Sequence, residues 1–305
     1  MKIIKKIIFA IMILLLIFSL CCFSYPALSD LINSHFNEST INEYNKNISS
    51  TSEQKINALL SSAKDYNNAI ATEYFDNSKD KNYKKILSDY FNILNFDNGL
   101  IGYIEIPSIK VKLPIYHGES EDVLKKGAAH LEQTSFPIGG SDTHACISAH
   151  SGYPTQKFFD DIDELTNGDI VIINVLNQKI YYKVYQKEVV EPNDITKLKV
   201  EQGKDILTLI TCYPYGINSH RLLVTAERYE FKEEPQNIEK EIAVHSDLKR
   251  DFTMPLIGLI FASVTILAVI NIIRVKRKKP QKSCFKAKST MQNESFEQKG
   301  RNKND

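Results

Sequence analysis

Cysteine is scarce where a disulfide scaffold would need it. Of five cysteines, Cys21, Cys22 and Cys284 lie in or beyond terminal segments, and the long middle of the chain keeps only Cys146 and Cys212. Two thiols cannot staple a loop-rich fold, so these 305 residues must rely on a hydrophobic core, for which the length suffices. The two could still pair with each other, and that reading stays open beside a chemical role for Cys212. No internal repeat or low-complexity segment divides the middle of the chain into two cores. No acidic cluster with cation-ligand spacing stands out, and no cofactor is called for. Excess positive charge is also missing from the middle. Residues 1–25 hold 3 basic and no acidic groups and residues 274–305 hold 11 basic and 3 acidic, leaving 24 basic against 34 acidic in residues 26–273, a net of −10. Nucleic acid is a poor partner for such a region, because its phosphates would be repelled.

What the ends do have is apolar runs. Lys2, Lys5 and Lys6 precede an uncharged run from Ile7 to Phe23, and the next charge is Asp30. A basic stub before such a run marks a secretory signal or an uncleaved anchor. The length of the run and the lack of a small-x-small cleavage pattern favour an anchor helix over residues 1–28; a lipid-modified Cys21 is disfavoured by the bulky Phe18 and Leu20. A second uncharged run, Pro255 to Ile273, is followed at once by Arg274-Val-Lys-Arg-Lys-Lys279. That run approaches the ~20 residues a helix needs to span a bilayer, and the basic flank predicts a cytoplasmic side. The expectation is therefore a cell-membrane protein with both termini cytoplasmic and an acidic outer domain. Residues 233–254 read as a charged linker to a transmembrane helix at 255–273, and residues 274–305 as a basic tail along the inner leaflet lipids.

Residues 29–98 read as a helical segment. Ile56, Leu59, Leu60 and Ala63 fit one helix face, and Ile86, Tyr90, Phe91 and Leu94 fit another. The polar stretch 71–82 reads as a loop between them. From Gly99 the texture changes to short β-rich runs: Leu100–Ile106, Val111–Leu113, Ala145–Ala149, a hairpin of Asp169–Val175 with Ile180–Tyr185, Ile206–Thr211 and Arg221–Tyr229. The expected fold is mainly β, a closed barrel with short helices over residues 99–232, preceded by the helical segment and flanked by two transmembrane helices.

The segment "TLITCYPYGINSHR" closes a strand on Cys212 and opens the next on Arg221, nine residues later, through a turn with Pro214 and Gly216. Antiparallel pairing would bring Arg221 beside Cys212, where a guanidinium offers fixed donors and a cation near a thiolate. An imidazole would complete a nucleophile's surroundings. His150 ends the run Ala145–Ala149 and enters a Ser-Gly-Tyr-Pro turn, a strand-end position like that of Cys212. His35 and His245 lie outside the barrel region, His220 points away from its neighbour Arg221 in a strand, and His117, His130 and His144 have no telling context.

These residues together resemble the sortases, cysteine transpeptidases of Gram-positive bacterial surfaces. "TLITC" fits their TLxTC signature, with Arg221 downstream and "SAHSGYP" upstream. "GYIEIPSIKVKLPIYHG", "AAHLEQTSFPIGG" and "CYPYGINSHRLLVTAER" extend the likeness from about Gly99 to Tyr229, and the last resembles the class C, pilus-building branch. The resemblance implies a thioacyl intermediate on Cys212 with an LPxTG-like sorting signal, His150 as proton donor and acceptor, Arg221 holding peptide and oxyanion, and Thr211 placing the substrate backbone. It implies pilin or surface-protein precursors as partners, with a pilin lysine as acceptor amine. The alternatives are attachment of surface proteins to the peptidoglycan precursor amine, a catalytically silent surface scaffold, and a protease. Class C sortases commonly carry an Asp-Pro-aromatic lid; no such tripeptide occurs here, and Tyr74-Phe75-Asp76, within 71–82, is the candidate replacement.

Overall fold

The computed structural model describes residues 2–76, 81–96 and 98–230. The chain divides into two units, Met1–Lys249 and Arg250–Asp305, and every described residue belongs to the first. The linker, second apolar run and basic tail expected at 233–254, 255–273 and 274–305 lie outside the described residues.

Helix α1 runs continuously over Lys2–Ser50 and α2 over Glu53–Asp76. The inward stripe of α1 is Asp30, Asn33, Asn37, Ile41, Tyr44 and Ile48, at the three-and-four spacing that lines up one helix face. Ile41, Tyr44 and Ile48 are buried. Tyr44 reaches furthest: its hydroxyl donates to the Ile101 carbonyl at 2.9 Å and accepts from the Leu176 N–H at 2.8 Å, pinning α1 to the barrel wall. The N-terminal part of α1 carries the first apolar run, and Leu14, Phe18 and Leu20 stand exposed on it. Among the described residues no helix is long and apolar enough to cross a membrane.

Two details of the helical segment depart from the pattern in the sequence. The stretch expected to be a loop at 71–82 is helical to Asp76 and again in α3, Lys81–Ser88, with residues 77–80 outside the described residues. The reason is packing: Ile56, Ala63, Tyr66, Ile70 and Ala71 form one buried stripe that carries α2 past residue 70. Phe91, expected on a buried face, is exposed, while Tyr90 and Leu94 are buried. A 3₁₀ turn at Tyr90–Asn92 has fewer residues per turn than the α-helix before it, which rotates Phe91 outward.

Eight strands form the closed barrel β1-β2-β3-β4-β7-β8-β6-β5. They are β1 Leu100–Ile106, β2 Val111–His117, β3 Ala128–His130, β4 Thr143–Ser148, β5 Ile170–Val175, β6 Gln178–Val190, β7 Asp205–Tyr213 and β8 His220–Arg228. Closure leaves no free sheet edge. The expected closed β-barrel is therefore present, with β3 added: three residues, all buried, are too short to show a period in the sequence. Alternate side chains of β7 separate two environments. Leu207 and Leu209 enter the main core, whereas Ile210 joins Cys146 and Leu223 in a second small cluster, with Leu131, Val190 and Leu198 against it.

Candidate active site

One register places the candidate residues. Strands β4 and β7 pair in parallel from Thr143 opposite Asp205 to Ser148 opposite Ile210, a constant offset along the whole ladder. The ladder continues one residue further, since the Ala149 N–H donates to the Ile210 carbonyl at 3.1 Å. Carried on to the strand ends, the same offset sets His150 level with Cys212, on neighbouring strands ~4.8 Å apart. On the other side, β7 and β8 are antiparallel and Cys212 is directly opposite Arg221. Directly opposed residues project to the same face of a sheet. By strand alternation Cys212 and Arg221 share the face of Ile210 and Leu223.

Thr211 fixes this junction. It is 4% exposed, and its hydroxyl donates to the Ala149 carbonyl at 2.8 Å. The hydroxyl expected to place a substrate backbone is thus engaged within the protein. It ties the residue before Cys212 to the residue before His150.

The two polar side chains of the site are incompletely satisfied. His150 is half-buried, and its Nε2 is buried with no hydrogen-bond partner among the described residues. Tyr153 stacks on its ring, centroids 5.2 Å apart and planes 9° from parallel, and Phe158 meets it edge-on at 6.2 Å. Arg221 donates through Nη1 to the carbonyls of His220, at 3.0 Å, and Asn218, at 3.4 Å. One guanidinium nitrogen thus braces the β7–β8 turn, and the fork has five N–H donors in all.

The loop after His150 is held from within by Asp160, whose carboxylate accepts the Gly152 N–H at 2.9 Å and the Phe158 N–H at 2.8 Å. Gly152 has φ +75°, and a Cβ there would come within 3.1 Å of the Tyr215 ring from the β7–β8 turn, so both conformation and close approach call for glycine. Tyr153, Phe158, Asp160 and Tyr215 were not singled out by the sequence; the only signal available was the Ser-Gly-Tyr-Pro turn itself.

The alternative role for Cys212, a disulfide with Cys146, is excluded: both thiols are free. Cys146 is opposite Thr208, four residues before Cys212 on β7. That separation is ~13 Å at ~3.3 Å per residue, against ~7 Å as the Cα limit for a bridge. Cys146 is fully buried, and burial pushes its thiol pKa far above the usual range, so it is an inert apolar side chain.

The other barrel histidines are structural. His130 is fully buried between Tyr90, whose hydroxyl lies 2.9 Å from Nδ1, and the Ser135 carbonyl, 2.9 Å from Nε2; burial pushes its pKa down to about 3. His144 spans the Lys199 carbonyl and the Thr208 hydroxyl, both at 2.8 Å. His117 contacts the Gly99 and Ile93 carbonyls. Burial lowers the pKa of both. His220 is on the surface, 3.5 Å from Glu191. The lid candidates Tyr74, Phe75 and Asp76 form the last turn of α2. Among the described residues no group of three or more His, Cys, Asp or Glu could hold a metal ion.

Comparison with known proteins agrees with this geometry. A family model for the sortase domain matches residues 104–229, from β1 through β8. Sortase A of Bacillus anthracis is 30% identical over 156 residues, covering 51% of this chain and 71% of the relative. The X-ray structure of Clostridium perfringens sortase C with the C-terminal cell wall sorting motif is 43% identical, with a TM-score of 0.55, covering 63% of this chain and 99% of that one. Sortase C1 from Streptococcus agalactiae is 38% identical with a TM-score of 0.59, covering 64% and 100%. The matched stretch spans between 52% and 71% of the length of the curated relatives. The chain belongs to the sortase family, the cysteine transpeptidases whose TLxTC signature ends here on Cys212.

Proposed function

We propose that this protein is a membrane-anchored class C sortase that joins pilin subunits. In this reading the Cys212 thiolate attacks the Thr–Gly carbonyl of an LPxTG-like sorting signal. A C–S bond forms and the C–N bond breaks, with the proton for the departing glycine amine coming from His150. A pilin lysine amine then gives up a proton to His150 and attacks the thioester carbonyl. The isopeptide bond forms as the C–S bond breaks, and Cys212 leaves as thiolate. Arg221 donates to the oxyanion of each tetrahedral intermediate.

The observation that carries the reading is the pairing of Cys212 with Arg221 across β7–β8, together with the β4–β7 register, which ends on Ser148 opposite Ile210 and, extended two residues, would bring His150 level with Cys212. His150 Nε2 is buried without a partner among the described residues, an unsatisfied polar atom that suits the reading of His150 as the proton-transfer group. The class C assignment draws support from the sortase C structures and from the helices α1 and α2 that precede the barrel. The membrane location draws support from the exposed apolar side chains at the start of α1 and from the Pro255–Ile273 run with its basic flank. We further propose that Tyr74, Phe75 and Asp76 belong to a lid over the cysteine.

The test is acceptor choice. The full-length protein in detergent would be given an LPxTG-type peptide with either a lysine-bearing pilin fragment or a peptidoglycan-like amine, and products read by mass spectrometry. Isopeptide product with the pilin lysine, absent in Cys212→Ala, is the expected result. Product only with the peptidoglycan-like amine would overturn the pilin assignment, and hydrolysed peptide alone would overturn both acceptors.

A further inference from the structure

Helix α1 does more than precede the barrel. Its inward stripe is apolar at Ile41, Tyr44 and Ile48, where it lies on the barrel wall, and turns polar at Asp30 and Asn33. Both polar side chains are half-buried while their neighbours Leu31 and Ile32 are exposed. A helix that only packed would keep apolar residues on that stripe. Here both side chains bond to backbone. The Lys157 N–H donates to Asp30 Oδ1 at 2.9 Å, and Asn33 Nδ2 donates to the Thr155 carbonyl at 2.7 Å.

Thr155 and Lys157 belong to the loop that carries His150. Among the described residues, the hydrogen bonds tying the 153–157 stretch to another element both come from α1. The stretch begins at Tyr153, which stacks on the His150 ring, and leads into Phe158, which meets both rings edge-on. The Phe159 N–H then closes back on the His150 carbonyl at 2.9 Å. The path from α1 to the imidazole is therefore two backbone hydrogen bonds and one aromatic stack.

We propose that Asp30 and Asn33 are positioning residues for His150, making α1 part of the scaffold of the active site. The inference rests on the reading of His150 as the proton-transfer group. Placement of such a group within a fraction of an ångström matters, since a 1 Å displacement costs up to ~100-fold in rate.

The test uses full-length protein in detergent with the variants Asp30→Ala, Asp30→Asn, Asn33→Ala and Asn33→Asp. Asn at position 30 keeps an acceptor for the Lys157 N–H. Asp at position 33 has the same shape but sets an acceptor against the Thr155 carbonyl. The expected result is that Asp30→Ala and Asn33→Asp lower kcat for thioacyl formation roughly tenfold at unchanged KM and Tm. Asp30→Asn should hold kcat within about twofold of wild type. Hydrogen exchange supplies a readout that needs no activity: amides 150–158 should lose protection in Asp30→Ala and Asn33→Asp, with the β7 core unchanged. The inference is overturned if exchange at 150–158 is the same in all variants, if Asp30→Asn falls as far as Asp30→Ala, or if kcat falls only in step with Tm. A wild type that forms no thioacyl adduct while the exchange differences persist would fault the catalytic reading and leave α1 as the brace of this loop.

Discussion

Strand β7 has a polar side chain at each end, and the two ends are built differently. At the start, Asp205 accepts from the Gly140 N–H at 2.9 Å, the Tyr182 hydroxyl at 2.9 Å and the Thr143 hydroxyl at 3.2 Å. At the finish, Cys212 faces a guanidinium that, among the described residues, bonds carbonyls of its own turn through Nη1, and the neighbouring strand leads into His150, whose Nε2 has no partner among the described residues. A buried polar group with its bonds complete stabilises a fold, and one left open costs stability unless another molecule completes it. The same strand thus has its polar groups paired at one end and incompletely paired at the other.

That contrast can be broken at either end. The largest effect expected is from Cys212→Ala, which should lower thioacyl formation by at least about 10⁴-fold with little change in Tm, read by intact-protein mass spectrometry and thermal unfolding. Arg221→Ala should cost about 10²- to 10³-fold in kcat, and Arg221→Lys should recover little of it, because a point charge does not reproduce the guanidinium fork. At the other end the signs exchange. Asp205→Ala should lower stability by about 2–3 kcal/mol by taking the acceptor from the buried Tyr182 hydroxyl, while the folded fraction keeps wild-type kcat; urea unfolding and single-turnover kinetics separate the two.

Acid should act on stability through the buried histidines of the barrel. His117, His130 and His144 are held neutral by burial, His130 with its pKa pushed from 6.5 down to about 3. As pH falls below 6.5 the unfolded chain takes up protons that the folded chain refuses, so Tm should drop steadily towards pH 3. Asp205 and Glu119, whose pKa values are raised by burial, act in the opposite sense: their folded forms hold protons above the usual carboxylate range. The His130 displacement is the larger, so the net slope follows the histidines. His130→Gln should flatten that slope. The smallest effect is expected at Tyr153, where replacement by Leu removes the stack on His150 and should lower kcat about three- to tenfold.

The barrel was legible in the sequence because strands buried on both faces read as continuous apolar runs, and Ile206–Thr211 and Ala145–Ala149 are such runs. Cys212 and Arg221 were legible because they are joined by a short turn, which makes their pairing a local matter. His150 was only a strand-end candidate until the family resemblance or the register was added, since its match to Cys212 depends on a parallel pairing between strands far apart in sequence. Asp30 and Asn33 were illegible for the same reason: their partners are backbone atoms of a loop more than a hundred residues away, and a backbone carbonyl has no signature. The end of α2 was misread because tertiary packing on Ile70 and Ala71 overrode a polar local composition.

Trapping decides whether register makes Cys212 the nucleophile of this site. The full-length protein would be incubated with an LPxTG-type peptide, quenched in acid, digested, and the acyl group located by tandem mass spectrometry. The expected product is a thioester on Cys212, abolished by His150→Ala together with a normal fold by Tm, and none on Cys146. An adduct that survives Cys212→Ala, or one found on Cys146, would contradict that assignment.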